Sequence, residues 1–317
     1  MSSIATIDAH LRARLDQICD LQVEYDAAFG AMTTFRVGGH CAAMITCGSL
    51  SALGELLSVI SPRPIYVLGN GSNTLVSDGG WDGIVLRLVN EFEEIEGKCG
   101  LVRLGAAVSL PVAARQLSAA GMGGMEWAVG IPGTVGGAVK MNAGGHGSDT
   151  ATWIEAAEIY RFSSGGYRMQ KATRGELGLR YRGSNLGDMD VVTSATFSLT
   201  PREPAESREA ISEIVTWRRE HQPGGQNAGS VFVNPENDHA ARLIESVGMK
   251  GLRYRSAEVS SRHANFIQAS PGGSGDDVFE LIWMVQQRVE DELGVRLRTE
   301  IKLIGFDPDR SRHLRGE

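Results

Sequence analysis

This 317-residue chain has no basic excess and no long hydrophobic run. Lys and Arg number 31 against 38 Asp and Glu, which gives a net charge of −7 at pH 7. Nucleic acid is therefore not an expected partner, because its binding depends on a basic face that neutralises phosphates. No stretch reaches the roughly 18 apolar residues that a membrane-spanning helix needs, so we expect no membrane association either.

Cysteine is rare, and the first residues lack the pattern of an export signal. Cys19, Cys41, Cys47 and Cys99 form no C-x-x-C pair and lack metal-ligand spacing, which predicts small buried thiols in a reducing compartment. The seven histidines are scattered, so no metal site is expected. The first eight residues have neither a basic start nor a continuous apolar run, and we therefore expect a cytoplasmic protein without a signal peptide.

Proline is scarce, with ten residues, whereas glycine is abundant, with 40. The glycines follow no G-X-Y period, which excludes collagen, and 42% hydrophobic with 22% charged residues is typical of globular proteins. In an ordered chain, so much glycine indicates many tight turns or a backbone that approaches a ligand closely. The length predicts two domains or three small ones.

The hydrophobic pattern predicts an α+β fold. Helices are expected at 4–18, 49–60, 109–120, 204–221, 238–247 and 274–293, and strands at 65–68, 74–76, 83–88, 101–105, 153–162, 190–199, 259–268 and 295–306. Strands follow the turn at 69–73, where a Rossmann dinucleotide fold would place a helix, so the pattern argues against that fold. A Gln-Pro-Gly-Gly stretch at 222–225 indicates a boundary before a smaller C-terminal region.

Two glycine-rich segments are candidate cofactor sites. In the turn at 69–73 (Gly-Asn-Gly-Ser-Asn), successive backbone N–H groups can converge on an anion such as a pyrophosphate. A hairpin turn is the alternative, and the sequence matches neither a Walker motif nor G-x-G-x-x-G. The run from Gly130 to Gly145 has too many glycines for a core strand, which favours a segment lying against a flat cofactor over a buried loop.

Four polar residues are candidate functional groups, each with an ordinary structural alternative. Arg182 can hold a substrate carboxylate or be a solvated arginine at a strand end. Ser230 can donate a proton or be a turn residue, and Glu300, among alternating arginines, fits half of a cross-strand ion pair. His263 lies among polar residues beside an apolar strand, where a hydrogen bond at the edge of the core is the ordinary interpretation.

Taken together, these motifs resemble the UDP-N-acetylenolpyruvoylglucosamine reductase (MurB) family over nearly the whole chain. Five segments in the family's order carry the resemblance, followed by Glu300: Leu68–Asn73, Gly130–Gly144, Tyr181–Ser184, Gly229–Pro235 and Glu258–Ile267. The resemblance implies a two-part FAD-binding unit of the vanillyl-alcohol-oxidase type with a C-terminal α+β substrate domain. The expected division is 1–90 and 91–207 for the two FAD subdomains, the second joined by 296–317, and 208–295 for the substrate domain.

The same resemblance implies an activity: NADPH-dependent, FAD-mediated reduction of UDP-N-acetylenolpyruvoylglucosamine to UDP-N-acetylmuramate in peptidoglycan precursor synthesis. Arg182 and Glu300 correspond to the pair that stabilises the enol intermediate, and Ser230 to the acid that protonates it. The implied cofactor-binding residues are Gly69, Asn70, Gly71, Ser72, Asn73, Gly130, Ile131, Pro132, Gly133, Thr134, Gly136, Gly137, Ala138, Asn142, Ala143 and Gly144. The implied substrate-binding residues are Tyr181, Asn234, Arg262, His263 and Asn265.

The chain also departs from the family pattern. The interval of 48 residues from Arg182 to Ser230 fits the shorter class of the family, which lacks an extra tyrosine-bearing segment there. Many relatives have lysine at the positions of Val233 and Arg262, and Val233 removes a cation near the proton donor. Two other functions stay open on the sequence: an oxidase of the same FAD superfamily, which would consume no NADPH, and a binding paralogue without turnover. The retained Arg182, Ser230 and Glu300 argue against the paralogue.

Overall fold

A computed structural model describes residues 7–98 and 100–317 of the chain. Its helices are α1 (Ala9–Leu15), α2 (Leu50–Ile60), α3 (Leu110–Ala119), α4 (Val135–Met141), α5 (Thr150–Trp153), α6 (Arg174–Leu177), α7 (Pro204–His221), α8 (Ala240–Ser246), α9 (Gly275–Leu293) and α10 (Pro308–Arg315). Short 3-10 helices span Gly30–Met32, Asn90–Glu93 and Glu126–Gly130. The strands are β1 (Leu21–Ala27), β2 (Cys41–Cys47), β3 (Ile65–Val67), β4 (Thr74–Val76), β5 (Trp81–Leu88), β6 (Ile95–Lys98), β7 (Leu101–Gly105), β8 (Met122–Gly123), β9 (Gly144–Gly145), β10 (Ser148–Asp149), β11 (Ile154–Ser163), β12 (Gly166–Thr173), β13 (Val191–Ser198), β14 (Thr200–Pro201), β15 (Arg253–Tyr254), β16 (Ala257–Val259), β17 (Ile267–Ala269) and β18 (Lys302–Ile304).

The N-terminal part is built on a four-stranded sheet in the order β1-β2-β5-β3. β1 pairs antiparallel with β2, whereas β5 runs parallel to both β2 and β3. Helix α2 starts at its N-cap Ser49 and covers one face of the sheet with buried leucines. Because β3 belongs to this sheet while β4 pairs with β18, the turn at 69–73 joins two different sheets, and the hairpin alternative is wrong.

A five-stranded antiparallel sheet in the order β12-β11-β13-β7-β6 follows. Helix α4 packs against it, and α3 and α7 pack against each other and against the 3-10 helix Glu126–Gly130. The buried side chains of this sheet, such as Leu104 and Ile159, belong to the same hydrophobic core as Ile45 and Leu57 of the first sheet and its helix. Burying one such side chain stabilises the fold by about 1.5–3 kcal/mol. The two sheets are therefore held together by one continuous core.

The C-terminal part has a separate core formed by the sheet β15-β16-β17 and helices α8 and α9. Helix α9 begins after the N-cap Ser274 and ends at Gly294, whose φ of +67° suits glycine; both ends are as predicted. Strand β18 then returns to pair in parallel with β4. Leu75 of β4 and Leu303 of β18 are both buried in this C-terminal core, so the strand after the turn at 69–73 packs with the C-terminal part.

The first helix and the last strand are shorter than the sequence predicts. Helix α1 begins only after the N-cap Asp8, and Ile4 lies outside the described residues. The predicted apolar face is nevertheless buried at Ile7, Leu11, Leu15 and Ile18. Of the predicted strand 295–306 only β18 forms a ladder, because the residues before it bond singly to several different segments.

One further element prediction is wrong, and one helix lies where none was predicted. The predicted strand 259–268 is two strands, β16 and β17, separated by a loop that closes where the Ser260 N–H donates to the Phe266 carbonyl oxygen at 2.8 Å. The glycine run contains helix α4, which propensity disfavours because glycine is a poor helix former. Thr134 caps this helix by accepting a hydrogen bond from the Gly137 N–H, and that N-cap was the available signal.

The cysteines are not all buried as predicted. Cys41 and Cys47 are buried, and burial raises their pKa values to about 12 and about 11. Cys19 is exposed, since it follows α1 on the surface, and Cys99 lies outside the described residues. In the part of the chain that the structure describes, no helix is long and apolar enough to cross a membrane, and no three His, Cys, Asp or Glu side chains are grouped so as to hold a metal ion.

Candidate active site

The turn at 69–73 leaves β3 with unused backbone donors. Among residues 7–98 and 100–317, no protein acceptor receives a hydrogen bond from its five N–H groups. Gly71 has a φ of +63°, and a Cβ there would lie 2.6 Å from the Met32 carbonyl oxygen, so the position requires glycine. Consecutive free N–H groups without covering side chains are the donors that an anion site needs. The turn therefore fits the pyrophosphate of FAD.

The two glycine-rich segments lie against each other. The side-chain amide of Asn70 donates from Nδ2 to the carbonyl oxygens of Pro132 at 3.0 Å and Gly133 at 3.3 Å. A Cβ at Gly69 would come within 2.5 Å of Thr134 Oγ1, so the contact leaves no room for a side chain. The structure thus joins into one surface two segments that are distant in sequence.

Arg182 and Glu300 form an ion pair. Arg182 Nε lies 2.9 Å from Glu300 Oε2, and Arg182 Nη1 donates to the carbonyl oxygen of Gly144 at 3.2 Å. The Nε–H does not point at the carboxylate oxygen, so it makes a charge contact and is buried without a hydrogen-bond acceptor among the described residues. Arg182 also has a φ of +57°, a strain of roughly 1–3 kcal/mol that clusters at functional sites. A guanidinium carries five N–H donors, so Arg182 has others besides those at Glu300 and Gly144 for an oxygen of an anionic substrate.

Glu300 is unusually buried for a carboxylic acid, since 13% of its side chain is exposed. Burial raises the pKa of Glu300 to about 7, and the nearby charge of Arg182 opposes that increase. Near pH 7 the carboxyl group is therefore divided between its charged and neutral forms. In the neutral form it can donate a hydrogen bond, which a carboxylate cannot do.

Ser230 is brought near Glu300 by backbone contacts between their two segments. The Glu300 N–H donates to the carbonyl oxygen of Val231, the residue after Ser230, at 3.0 Å, and Thr299 Oγ1 donates to the same oxygen at 3.0 Å. Asn73 Nδ2 donates to the carbonyl oxygen of Glu300 at 2.8 Å. Three predicted segments therefore converge at Glu300: the first glycine-rich turn, the serine segment and, through the ion pair, the arginine.

The predicted substrate-binding residues differ in how accessible they are. Tyr181 is 61% exposed, and its ring centroid lies 5.2 Å from the guanidinium carbon of Arg182. His263 is half-buried, burial lowers its pKa, and its Nδ1 lies 3.3 Å from the N–H of Asn265 as the acceptor. Asn265 is buried, and its side chain bonds to the backbone of Phe232. Of Tyr181, His263 and Asn265, Tyr181 is the most exposed.

Asn234 and Arg262 lie on the exposed side of the C-terminal part. Asn234 Oδ1 accepts a hydrogen bond from the N–H of Ala240 at the start of α8, at 3.0 Å. Arg262 is exposed, and its Nη1 donates to the carbonyl oxygen of Gln222 at 3.1 Å. Arg262 therefore links the end of α7 to the loop 260–266 while its remaining donors face solvent.

Two polar residues of the second glycine run bind the loop that carries Arg182. Asn142 Nδ2 donates to the carbonyl oxygen of Arg180 at 3.2 Å. Lys140 Nζ donates to the carbonyl oxygens of Gly187 at 3.0 Å and Asp188 at 2.9 Å, and burial lowers the pKa of this lysine to about 8. Lys140 is not among the predicted site residues. A lysine within a run of small residues was the signal that could have found it.

Two family models match the chain. One, described as an FAD binding domain, matches residues 41–165, and the other, described as the C-terminal domain of UDP-N-acetylenolpyruvoylglucosamine reductase, matches residues 221–304. Together with the α+β fold, these matches define a flavin-dependent oxidoreductase.

Relatives that match over most of the chain identify the family within this class. The chain is 41% identical to UDP-N-acetylenolpyruvoylglucosamine reductase 2 of Symbiobacterium thermophilum, over 87% of this chain and 90% of that protein. It is 37% identical to the reductase of Rubrobacter xylanophilus, over 89% of this chain and 95% of that protein. The crystal structure of the reductase from Thermus caldophilus matches with a TM-score of 0.78 and 35% identity, over 90% of this chain and 99% of that one. The chain belongs to the UDP-N-acetylenolpyruvoylglucosamine reductase family. The predicted family, fold class and FAD cofactor are thereby confirmed.

Proposed function

We propose that this protein catalyses the NADPH-dependent reduction of UDP-N-acetylenolpyruvoylglucosamine to UDP-N-acetylmuramate, a step of peptidoglycan precursor synthesis in the cytoplasm. The observation that carries the proposal is the ion pair of Arg182 and Glu300 at 2.9 Å, which backbone hydrogen bonds connect to the Ser230 segment. The names of the relatives, which are reductases of this nucleotide sugar, support it.

The cofactor-binding unit supplies mainly backbone groups. The N–H groups of residues 69–73 would hold the pyrophosphate of FAD, and the run Gly130–Gly144 would line the cofactor. The chemistry that a bound FAD supplies is transfer of a hydride, received from NADPH, to the terminal vinyl carbon of the enolpyruvyl group. The proposed division assigns 1–90, 91–207 and 296–317 to the cofactor and 208–295 to the substrate.

Arg182 is proposed to bind the carboxylate of the substrate. Arrival of a hydride at the vinyl carbon leaves negative charge on the adjacent carbon and its carboxylate. A fixed guanidinium in a site with little water stabilises that charge better than a cation in solution. The Arg182 side chain is 26% exposed, so part of its guanidinium stays open to a substrate carboxylate.

Glu300 is proposed to assist Arg182 in its neutral form. Because burial raises its pKa to about 7, a protonated carboxyl group is available near neutral pH. Its O–H can donate a hydrogen bond to the enolate without adding negative charge. An ionised Glu300 would repel the enolate instead.

Ser230 is proposed to donate a proton to the carbon next to the substrate carboxylate. A serine hydroxyl is a weak acid, but an enolate is reactive enough to take its proton when the two groups are held within about 3 Å. The resulting alkoxide regains a proton from solvent. A backbone hydrogen bond from Glu300 to Val231 holds the Ser230 segment beside Glu300, which supports this role.

The test of this function is Ser230→Ala, measured in both half-reactions by stopped-flow absorbance of the flavin. Reduction of the flavin by NADPH should stay near the wild-type rate, because it requires no proton at the substrate carbon. Reoxidation by the enolpyruvyl substrate should slow about 100-fold, the usual share of general-acid catalysis. Ser261→Ala, which changes an exposed serine of the same domain, serves as the control.

Three results would contradict the proposal. Equal slowing of both half-reactions would make Ser230 a structural support of the site. A flavin that NADPH does not reduce, but that oxygen reoxidises after an alcohol is oxidised, would identify an oxidase. Flavin that NADPH reduces but the enolpyruvyl substrate does not reoxidise would identify a protein that has lost this turnover.

A further inference from the structure

We infer that Asn265 is a positioning residue for the proton donor Ser230, and not a ligand of the substrate. The inference rests on the proposed role of Ser230. Asn265 lies in the loop 260–266 between β16 and β17 and is 3% exposed. A side chain so deeply buried has little surface to offer a substrate, so its role must be found in what it contacts.

Both ends of the Asn265 side chain bond to one residue of the serine segment. Nδ2 donates to the carbonyl oxygen of Phe232 at 2.8 Å, and Oδ1 accepts from the Phe232 N–H at 2.9 Å. The carbonyl oxygen of Asn265 also accepts from the Val231 N–H at 2.8 Å. The asparagine thus pairs with this segment as a neighbouring strand would. Phe232 is 1% exposed, so water cannot replace these bonds, and a group that loses its partner stays unsatisfied.

The same segment is held from its other side by the residues around Glu300. The carbonyl oxygen of Val231 accepts from the Glu300 N–H and from the preceding threonine hydroxyl, both at 3.0 Å. Ser230 itself pairs through an isolated antiparallel bridge with Phe266, the residue after Asn265. The loop of Asn265 and the segment of Glu300 therefore clamp the backbone within two residues of Ser230, and this clamp fixes where the serine hydroxyl lies relative to Glu300.

The decisive variant is Asn265→Asp, compared with the wild type as the FAD-loaded enzyme at the same alkaline pH, where the new carboxyl group is ionised. It keeps the size of the side chain and the acceptor for the Phe232 N–H, but it turns the donor into an oxygen that faces the Phe232 carbonyl. Because two acceptors repel, the serine segment shifts by a fraction of an ångström. Reduction by NADPH should stay near the wild-type rate, whereas reoxidation by the substrate should slow about 10–100-fold, with KM for the substrate nearly unchanged.

The double variant Ser230→Ala/Asn265→Asp separates positioning from general damage. If Asn265 acts through Ser230, replacing Asn265 should slow reoxidation little further once the serine hydroxyl is absent. The double variant should then reoxidise within about twofold of Ser230→Ala alone, because residues that act as one unit are not additive. Ser256→Ala is the stability control: it removes a hydrogen bond to Asp277 of 2.6 Å in the same C-terminal core, and both half-reactions should be unchanged.

Other outcomes would overturn the inference. Losses that multiply in the double variant, or equal slowing of both half-reactions, would make Asn265 a general support of the fold. A raised KM with an unchanged reoxidation rate at saturation would return it to substrate binding. If Asn265→Asp does not fold, Asn265→Ser keeps a shorter donor and acceptor and should show the same asymmetry more weakly. If Ser230→Ala does not slow reoxidation, the proposed role of Ser230 fails and this inference fails with it. If Ser230→Ala slows reoxidation but Asn265→Asp does not, only this inference is overturned.

Discussion

The turn at 69–73 and the cluster of Arg182, Ser230 and Glu300 are built in opposite ways. The turn offers backbone N–H groups from five consecutive residues, and its side chains are small so that a ligand can approach. The cluster gathers side chains from three distant segments, and its geometry depends on hydrogen bonds between them. The turn should therefore fail when atoms are added to it, and the cluster when atoms are removed.

The largest effect is expected from adding atoms to the turn. In Gly71→Val, the new Cβ would lie 2.6 Å from the Met32 carbonyl oxygen, at a φ of +63° that a β-branched residue rarely adopts. The variant should purify without FAD, which the visible absorption spectrum shows directly, and should have no turnover. Gly79→Ala is the matched control, because the nearest atom to its Cβ is Ser77 Oγ at 3.6 Å and the residue is exposed. Full retention of FAD by Gly71→Val would mean that the turn does not bind the cofactor.

A smaller effect is expected from removing atoms at the cluster. Arg182→Lys keeps the positive charge but loses the planar fork that can hold a carboxylate with two hydrogen bonds. FAD content should be unchanged. The value of kcat/KM for the substrate should fall, by an amount that corresponds to a loss of about 2–4 kcal/mol in transition-state stabilisation. Arg180→Lys, which changes an exposed arginine two residues away, should stay close to wild type. An Arg182→Lys enzyme with normal kcat/KM would remove Arg182 from the mechanism.

The same contrast explains what the sequence could predict. The turn was predictable because its requirements, a positive φ at Gly71 and space for a ligand, depend on local residue type. The ion pair was not predictable from the residues alone, because the alternation from 295 to 306 indicates which side chains are buried and not what they meet. Leu297 and Ile301 are buried as the alternation requires, yet Glu300, on the opposite side, meets Arg182 from another part of the chain. Only the family resemblance connected these two residues.

Asn265 shows a second limit of sequence analysis. It lies in a polar motif beside an apolar strand, and the resemblance placed it among the substrate ligands. Whether an asparagine amide meets a ligand or a backbone depends on long-range packing, here on the Phe232 peptide 33 residues away. Thr299 is similar, because its hydroxyl bonds to the Val231 carbonyl oxygen from a position that the alternation shows only as buried.

The smallest expected effect is the pH dependence that the charge of Glu300 causes. The cluster should show this dependence, and the turn should not. The neutral form of Glu300 is the proposed hydrogen-bond donor, and its pKa is about 7. Reoxidation of the flavin by the substrate should therefore slow as pH rises through about 7, by up to about tenfold per pH unit. FAD binding by the turn should show no such dependence, because backbone N–H groups do not titrate in this range.

Stability should change over the same pH range with a defined sign. The ordinary pKa of this carboxyl is 4.5 and burial raises it to about 7, so between these values the folded state binds more protons than the unfolded state. The free energy of unfolding should therefore fall as pH rises from 4.5 to 7 through this group's contribution. Glu300→Gln, which cannot ionise, should abolish both this contribution and the decline in reoxidation, whereas Glu209→Gln, an exposed glutamate on α7, should change neither. If the reoxidation profile of Glu300→Gln kept its decline near pH 7, another group would titrate there, and the neutral Glu300 would not be the donor to the enolate.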